Sequence, residues 1–290
     1  MRKIFVLCFI FFTGAASAPA LAQNTPNTAG TSVYGGKAVQ GSDTPWQAVI
    51  YLANKGASSG LLCGATVIAP NWVVTAAHCF YNHAGDRIPT SLLGLATGTL
   101  KLSGQKQTLP FDEPIVFDGY TLGDWDKDIA LVRLQKPVSG VVRPIVLAST
   151  EDEKAPPSSF RVVGWGKTET LAISDNLLFA FLKPVSMSEC AKVYPTGLTN
   201  RTLCAGDPPK DACHGDSGGP LYTGTGATAV QFGIVAAGEG CGKKPGVYAR
   251  VSQHRGWIEK TVAATGDKLA NSGQIKTTVC TPAAALKKEC

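Results

Sequence analysis

The stretch DACHGDSGGP, from Asp211 to Pro220, decides the interpretation of the whole chain. It places Ser217 between glycines and directly after the carboxylate of Asp216. Glycine adopts backbone conformations closed to other residues and lets a substrate carbonyl approach main-chain amides. A serine hydroxyl is a weak nucleophile, so it needs a base within hydrogen-bond reach and donors for the oxyanion that forms on attack. The stretch therefore predicts a nucleophile loop, with a histidine and a further carboxylate supplied from elsewhere.

Two other motifs supply these groups. The motif TAAHC, Thr75 to Cys79, places His78 after an apolar run, and DIAL, Asp128 to Leu131, places a carboxylate at the start of another. With the nucleophile loop they give the order His, Asp, Ser, and GWG at 164–166 and PGVY at 245–248 accompany them. This ordered set resembles the trypsin-like (chymotrypsin-fold) serine proteases, over roughly Val33 to Gly266.

The resemblance implies an all-β fold of two packed antiparallel six-stranded β-barrels with a C-terminal helix. It also implies the role of each catalytic group. Ser217 would be the nucleophile and His78 the general base and then acid, while Asp128 would hold the imidazole tautomer and stabilise the imidazolium. The backbone N–H groups of Gly215 and Ser217 would form the oxyanion hole.

The resemblance further predicts cleavage after Arg or Lys. Asp211 matches the carboxylate at the base of the primary pocket, and Gly238 and Gly246 match small residues that leave this pocket open. Ala212 stands where many relatives have a serine that helps to hold an amine, which favours Arg over Lys. Ala236–Ala237 replaces the Ser-Trp pair usual in the family, which predicts weaker recognition beyond the primary pocket.

Activation is a separate expectation from the resemblance. Val33 begins VYGG, the pattern that starts the mature chain in relatives, and its freed amino group would pair with Asp216. The residue before it is Ser32, where many relatives have Arg or Lys. Self-activation therefore conflicts with the specificity that Asp211 implies. Either another protease cuts after Ser32, or the chain becomes active without this amino terminus.

Residues 1–22 are predicted to be a cleaved signal peptide, because Arg2 and Lys3 precede an apolar run from Ile4 to Phe12 and a small-x-small site, ALA, follows at 20–22. Residues 23–32 then form a short pro-segment, residues 33–266 the peptidase domain, and residues 267–290 a C-terminal extension. The two barrels are expected over roughly 33–140 and 155–251. The mature protein should be secreted or periplasmic and not membrane-bound.

Export makes disulfides the expected state of the cysteines. Removing Cys8 with the signal peptide leaves eight of the nine, an even number. The resemblance implies the pairs Cys63–Cys79, Cys190–Cys204 and Cys213–Cys241. Cys280 and Cys290 remain, and a local disulfide between them is the simplest interpretation.

Short apolar runs separated by Gly, Pro, Asn and Asp predict many short strands. The strands are expected at Gln47–Leu52, Leu61–Ile68, Gln107–Leu109, Ile129–Leu134, Phe160–Gly164, Leu177–Val185, Val230–Ala236 and Gly246–Val251. A short helix is expected at Ser188–Val193. A longer helix is expected at Ser252–Ala264 with Ser252 as its cap.

The sequence thus predicts an exported serine endopeptidase that acts on proteins or peptides, meets protein inhibitors, works as a monomer and needs no cofactor. A catalytically silent homologue that only binds is the alternative. The formal net charge of +6, or +4 without the signal peptide, is not concentrated in a basic stripe and gives nucleic-acid binding no support. No metal site or calcium loop is expected. His83 and His254 are expected on the surface, and His214 at the rim of the substrate pocket.

Overall fold

The computed structural model describes Val33, residues 35–105 and residues 108–270. Several predictions fall outside these residues. They are the signal peptide over 1–22, the pro-segment over 23–32, nearly all of the extension over 267–290, and the pair Cys280–Cys290. None of the helices in the described residues is long and apolar enough to cross a membrane.

Short strands dominate the described chain. In chain order they are Lys37–Ala38 (β1), Gln47–Leu52 (β2), Leu61–Ala69 (β3), Trp72–Thr75 (β4), Leu93–Thr97 (β5), Ile115–Val116 (β6), Ala130–Arg133 (β7), Val146–Leu147 (β8), Phe160–Gly164 (β9), Leu178–Val185 (β10), Thr202–Gly206 (β11), Pro220–Thr223 (β12), Val230–Ala237 (β13) and Gly246–Arg250 (β14). The α-helices are Gly56–Gly60 (α1), Met187–Val193 (α2) and Val251–Ala263 (α3). The all-β prediction is therefore confirmed.

The first half of the chain forms a six-stranded antiparallel sheet in the order β5-β2-β3-β4-β7-β6. Its strands are rich in β-branched and aromatic side chains, which suit a buried pleated surface, and every residue of β4 is buried. The N–H of Leu109, in the segment leading to β6, donates to the carbonyl of Leu95 in β5 over 2.7 Å. This contact brings the two edges of the sheet together, as a barrel requires.

The second half closes on itself. Strand β9 pairs with β10 on one side and with β12 on the other, so the six strands β9-β10-β11-β14-β13-β12 form a ring. Strand β1 adds to β10, and β8 runs parallel to β13. The predicted arrangement of two antiparallel barrels is thus confirmed.

The two barrels contact each other through buried aromatic side chains and backbone. Trp46 of the first half meets Tyr222 of the second edge to face, with ring centroids 5.5 Å apart. Both rings are buried. The N–H of Gly64 in β3 donates to the carbonyl of Ser217 over 2.8 Å. The junction between the barrels therefore reaches the predicted nucleophile loop directly.

Three predictions about local structure were wrong. Thr108 and Leu109 lie in no strand, and Gln107 is outside the described residues. Helix α3 begins one residue early, with Arg250 at its N-cap, and the Ser252 hydroxyl donates instead to Glu153 Oε1 over 2.8 Å. The helix has no side-chain cap, because Arg250 makes no capping bond and Ser252 is already the second residue of the helix.

The prediction that His254 lies on the surface was also wrong. This side chain is fully buried in α3, and both of its ring nitrogens contact backbone carbonyls. By contrast, His83 is exposed as expected. The sequence contained no signal for the difference, because one partner of His254, the Asp126 carbonyl, lies 128 residues away in the chain.

Candidate active site

His78 and Asp128 meet because the strands before and after them are paired. Strand β4 leads into the turn that carries His78, Asp128 lies two residues before the start of β7, and Thr75 lies opposite Ala130 in the β4–β7 ladder. Asp128 Oδ2 is 2.6 Å from His78 Nδ1, and Asp128 Oδ1 accepts the backbone N–H of His78 over 2.8 Å. The bond to the ring fixes the imidazole tautomer, with Nδ1 carrying a proton, and the bond to the backbone holds Asp128 beside His78.

The electrostatics of this pair suit a base. Burial lowers the pKa of His78, but the negative charge of Asp128 and its hydrogen bond act in the opposite direction, and the pKa ends above its ordinary value. The Asp128 side chain is only 4% exposed, so its charge is little screened. His78 thus accepts a proton more readily than an unpaired histidine.

The Ser217 loop is held from both barrels. The Ser217 carbonyl accepts the N–H of Gly64, and the N–H of the next residue, Gly218, donates to Val235 in β13 over 2.8 Å. Gly218 has φ +75°, and a Cβ there would lie 2.6 Å from the Gly64 carbonyl oxygen. The predicted glycine is therefore required both by its backbone conformation and by close packing.

Ser217 and His78 line one cleft of about 650 Å³ together with Gly215. In the described part of the chain no hydrogen bond joins the Ser217 hydroxyl to His78. Such bonds are often long in a free enzyme and shorten when substrate is present. The cleft therefore brings the three predicted catalytic side chains to one site, since Asp128 reaches it through His78.

Two backbone donors in the nucleophile loop are free. The N–H groups of Asp216, Gly218 and Gly219 all donate within the fold. Within the described residues, those of Gly215 and Ser217 have no acceptor. Gly215 has φ +96°, and a Cβ there would lie 3.0 Å from Gly166 Cα, so this position also requires glycine. A pair of free N–H groups beside a serine is what stabilisation of an oxyanion requires.

Asp216 belongs to this loop, and its side chain is completely buried. Its Oδ1 accepts the N–H of Gly166 over 2.8 Å, and its Oδ2 accepts that of Cys213 over 2.9 Å. A Cβ on Gly166 would lie 2.6 Å from the carboxylate carbon, which explains the glycine of the GWG motif. Burial raises the pKa of Asp216 to about 7. Val33 is buried as well, but no cation pairs with Asp216 among the described residues.

Asp211 lies at the base of a separate pocket of about 210 Å³, which Ser217 and Gly238 also line. Its Oδ2 accepts the N–H of Gly242 over 3.0 Å, while its Oδ1 has no partner in the described structure. Burial raises the pKa of Asp211 to about 6. A Cβ on Gly246 would lie 3.2 Å from Oδ1, so this glycine leaves space beside the carboxylate.

The three described disulfides are those that the resemblance implied. They join Cys63–Cys79, Cys190–Cys204 and Cys213–Cys241. The first connects β3 to the turn of His78, and the third connects the nucleophile loop to the pocket wall. Cys63, Cys79 and His78 form the one group in the described residues close enough to share a metal ion. Its two sulfurs are bonded to each other, so they are not thiolate ligands.

The pocket wall includes Ala236 and Ala237, which stand where the resemblance predicted a Ser-Trp pair. Ala237 packs in a cluster with Tyr194 and Trp125, whose rings meet edge to face at 5.5 Å. The Tyr194 hydroxyl donates to the Pro245 carbonyl over 2.8 Å and accepts the N–H of Glu239 over 3.2 Å. Aromatic packing from neighbouring segments therefore supports this wall.

His214 is exposed and lines both the cleft and the primary pocket, which is the rim position predicted for it. Sequence reasoning missed two backbone donors that shape the site. They are the N–H of Gly64, which holds the Ser217 carbonyl, and the N–H of Gly242, which holds Asp211. Each follows a disulfide cysteine directly. A glycine next to a cross-linked cysteine was the sequence pattern that could have indicated these donors.

Comparison with known proteins gives consistent matches. A family model described as Trypsin matches residues 33–258. The chain is 33% identical over 255 residues to urokinase-type plasminogen activator of Gallus gallus, covering 81% of this chain and 58% of the relative. It is 32% identical over 243 residues to the suppressor of tumorigenicity 14 protein homolog of Bos taurus, covering 79% and 28%. The chain thus spans less than two thirds of either relative's length.

Proposed function

This chain belongs to the trypsin family of serine proteases, and from that membership we propose that it is an endopeptidase that cleaves after Arg or Lys. One observation carries the proposal. The cleft with His78 and Ser217 adjoins a pocket with a buried carboxylate, Asp211, that has one oxygen without a partner. A nucleophile beside such a pocket suits a substrate whose cationic side chain enters it.

The proposed reaction is acyl transfer. Ser217 Oγ attacks the peptide carbonyl carbon and its proton passes to His78 Nε2, since Nδ1 is occupied by Asp128. The negative oxygen of the tetrahedral intermediate accepts the N–H groups of Gly215 and Ser217. When the C–N bond breaks, His78 gives its proton to the leaving amine. Water then repeats the sequence against the acyl-enzyme, releasing the acid and restoring Ser217.

The specificity follows from the state of Asp211 before substrate binds. Burial disfavours its charged form, as the raised pKa indicates, and a guanidinium or ammonium group brought beside it relieves that penalty. Ala212 offers no hydroxyl to help an ammonium group, whereas a guanidinium can bind a carboxylate with two parallel bonds. We therefore expect Arg substrates to be preferred over Lys substrates.

Activation is proposed to depend on Val33. Cleavage after Ser32 would free an α-amino group, and its insertion beside Asp216 would provide the positive charge that this buried carboxylate lacks. Because Asp216 directly precedes Ser217 and receives the N–H of Cys213, that ion pair would order the nucleophile loop. Ser32 does not suit the specificity of the enzyme itself, so a different protease is expected to make the cut.

The remaining proposals concern location and partners. Three disulfides and the apolar N-terminal run support export, as a secreted or periplasmic protein. Protein or peptide substrates and protein inhibitors are the expected partners, and the mature enzyme is expected to be a monomer without a cofactor.

The test is hydrolysis of an arginyl peptide ester by protein that begins at Val33. Ser217→Ala should reduce turnover by about 10⁶-fold, because it removes the nucleophile, with little change in Tm. Ser59→Ala, an exposed position in α1, is the matched control and should leave turnover unchanged. Labelling of wild type but not Ser217→Ala by a covalent serine-directed inhibitor is also expected. A fully folded wild type that neither turns over nor labels would instead be a silent homologue.

A further inference from the structure

His254 is a buried histidine that the proposed chemistry does not use. It lies in the first turn of α3 with its side chain fully enclosed. Its ring packs edge-on against Phe117, with centroids 5.1 Å apart. Nδ1 is 2.8 Å from the carbonyl oxygen of Arg250, and Nε2 is 2.9 Å from that of Asp126. The second contact links the C-terminal helix to the loop before Asp128.

The preferred position of the imidazole proton depends on which of the two carbonyls has another hydrogen-bond donor. The Arg250 carbonyl is the N-cap carbonyl of α3 and already receives a helical N–H. The Asp126 carbonyl has no other donor among the described residues. A neutral imidazole has one N–H, and an unsatisfied carbonyl in a dry environment is costly. A proton on Nε2 satisfies the Asp126 carbonyl, whereas a proton on Nδ1 would leave that carbonyl without a donor.

Burial is the largest influence on this ring and lowers the pKa of His254 below its ordinary value. The hydrogen bonds to the Arg250 and Asp126 carbonyls raise this pKa, while the positive charge of nearby Arg201 lowers it further. The Asp126 carboxylate also raises it, but this group faces Arg201, with 3.7 Å between the charged groups. The guanidinium of Arg250 is turned to Glu153 at 3.3 Å. The net direction of the shift favours the neutral imidazole, which has a single N–H.

We propose that His254 is a positioning residue, which sets the place of Asp128 by holding the Asp126 carbonyl. Asp126 lies in the short turn Trp125–Lys127, and Asp128, two residues later, is the C-cap of that turn. A displacement of that turn would therefore change the 2.6 Å contact between Asp128 and His78. The inference rests on the proposed function, because it assigns this contact a role in proton transfer.

The test compares two variants at this position with a control in the same helix. His254→Phe retains a ring against Phe117 but has no donor, whereas His254→Gln retains a donor. Ile258→Val removes a buried methylene four residues further along α3. The readouts are kcat and KM on an arginyl ester, Tm, and the pKa of His78 from NMR titration of its imidazole. The chain has four histidines, so assignment is tractable.

His254→Phe should lower kcat by about tenfold with KM changed less than about twofold, because a displaced Asp128 stabilises the imidazolium less. The His78 pKa should fall by about half a unit for the same reason. His254→Gln should recover kcat to within about threefold of wild type. Ile258→Val should lower Tm but leave kcat and the His78 pKa unchanged.

A loss of Tm in His254→Phe with kcat and the His78 pKa unchanged would overturn the proposal, since it would show a purely structural role. Titration in a Ser217→Ala background needs no turnover. It therefore decides the positioning role even if wild type proves inactive and the proposed function fails. Should His254→Phe not fold, His254→Met, which is flexible and lacks a donor, is compared with His254→Gln by the same measurements.

Discussion

Asp211 and Asp216 lie five residues apart on one loop, and both carboxylates are buried, but their surroundings differ. Both oxygens of Asp216 accept backbone N–H groups. Asp211 has one such bond, from Gly242, and one oxygen without a partner in the described structure. Burial raises the pKa of both, to about 7 for Asp216 and about 6 for Asp211.

The two surroundings indicate where a positively charged partner for each carboxylate would come from. Asp216 is enclosed by the fold, so only a group of the chain itself can reach it, and we expect the Val33 amino group. Asp211 faces a pocket, so its partner can arrive from outside, and we expect a substrate side chain. Two similar acids would thus control different properties, catalytic competence at Asp216 and substrate selectivity at Asp211.

Substitution of Asp211 should change substrate selectivity and not catalysis in general. Asp211→Ser should lower kcat/KM for an Arg substrate by about 10³-fold, since breaking a buried ion pair costs about 4 kcal/mol and about 1.4 kcal/mol is tenfold. Matched Phe and Tyr substrates should change little, because they gain nothing from the carboxylate. Equal losses across the set would show that Asp211 is not the base of the pocket.

Asp216→Asn should show the opposite pattern. It removes the charge and turns an amide N–H₂ toward one of the two backbone donors, so the loop should lose order. Turnover of Arg and Phe substrates should fall together by about 10²-fold, the loss typical of one oxyanion donor. The ratio of kcat/KM values for the two substrates is the decisive measurement, and a changed ratio would contradict the division of roles.

Trimming tests whether Asp216 takes its partner from the chain. Protein that begins at Gln23, with its terminus verified by mass, should gain about tenfold or more in kcat/KM when trimmed to Val33, as one pKa unit of differential stabilisation corresponds to tenfold. Asp216→Asn should abolish this gain, whereas Asp211→Ser should retain it. Full activity of the untrimmed protein would rule out this activation.

The last expected effect is on stability. The Asp211 pKa of about 6 lies above its ordinary value of 3.8, so the folded state binds more protons between these pH values and stability falls as pH rises through this window. Asp211→Asn avoids this penalty. Its Tm should exceed that of wild type at pH 8 by about 9 °C, since a pKa difference of about two units corresponds to about 3 kcal/mol, and should nearly match it at pH 4. An equal difference at both pH values would point to packing instead of charge.

Local motifs explain what could be predicted from the sequence. Strands Gln47–Leu52 and Phe160–Gly164 have the predicted bounds, because their apolar runs end at turn residues. The residues proposed for catalysis were found in the same way. Each lies in a short motif with a neighbouring glycine, cysteine or apolar run. The two barrels then bring these motifs together in space.

Contacts between distant segments explain what could not be predicted. Strand β5 has the sequence LGLAT, whose glycine and alanine have weak strand propensity, and it forms because it pairs with β2. The hydroxyl of Ser252 binds Glu153, and the ring of His254 binds the Asp126 carbonyl. In each case the deciding partner is far away in sequence, so no local pattern could reveal it.

The bond from Gly64 to the carbonyl of Ser217 has a consequence for the order of assembly. It crosses from the first barrel to the second, and the base and the nucleophile are divided in the same way. Domains generally fold as units, with the N-terminal one first during synthesis. A chain whose first barrel alone has folded holds a base without a nucleophile. The proposed proteolytic activity would therefore arise only when the second barrel packs against the first. The growing chain would then not be cleaved by its own active site during synthesis.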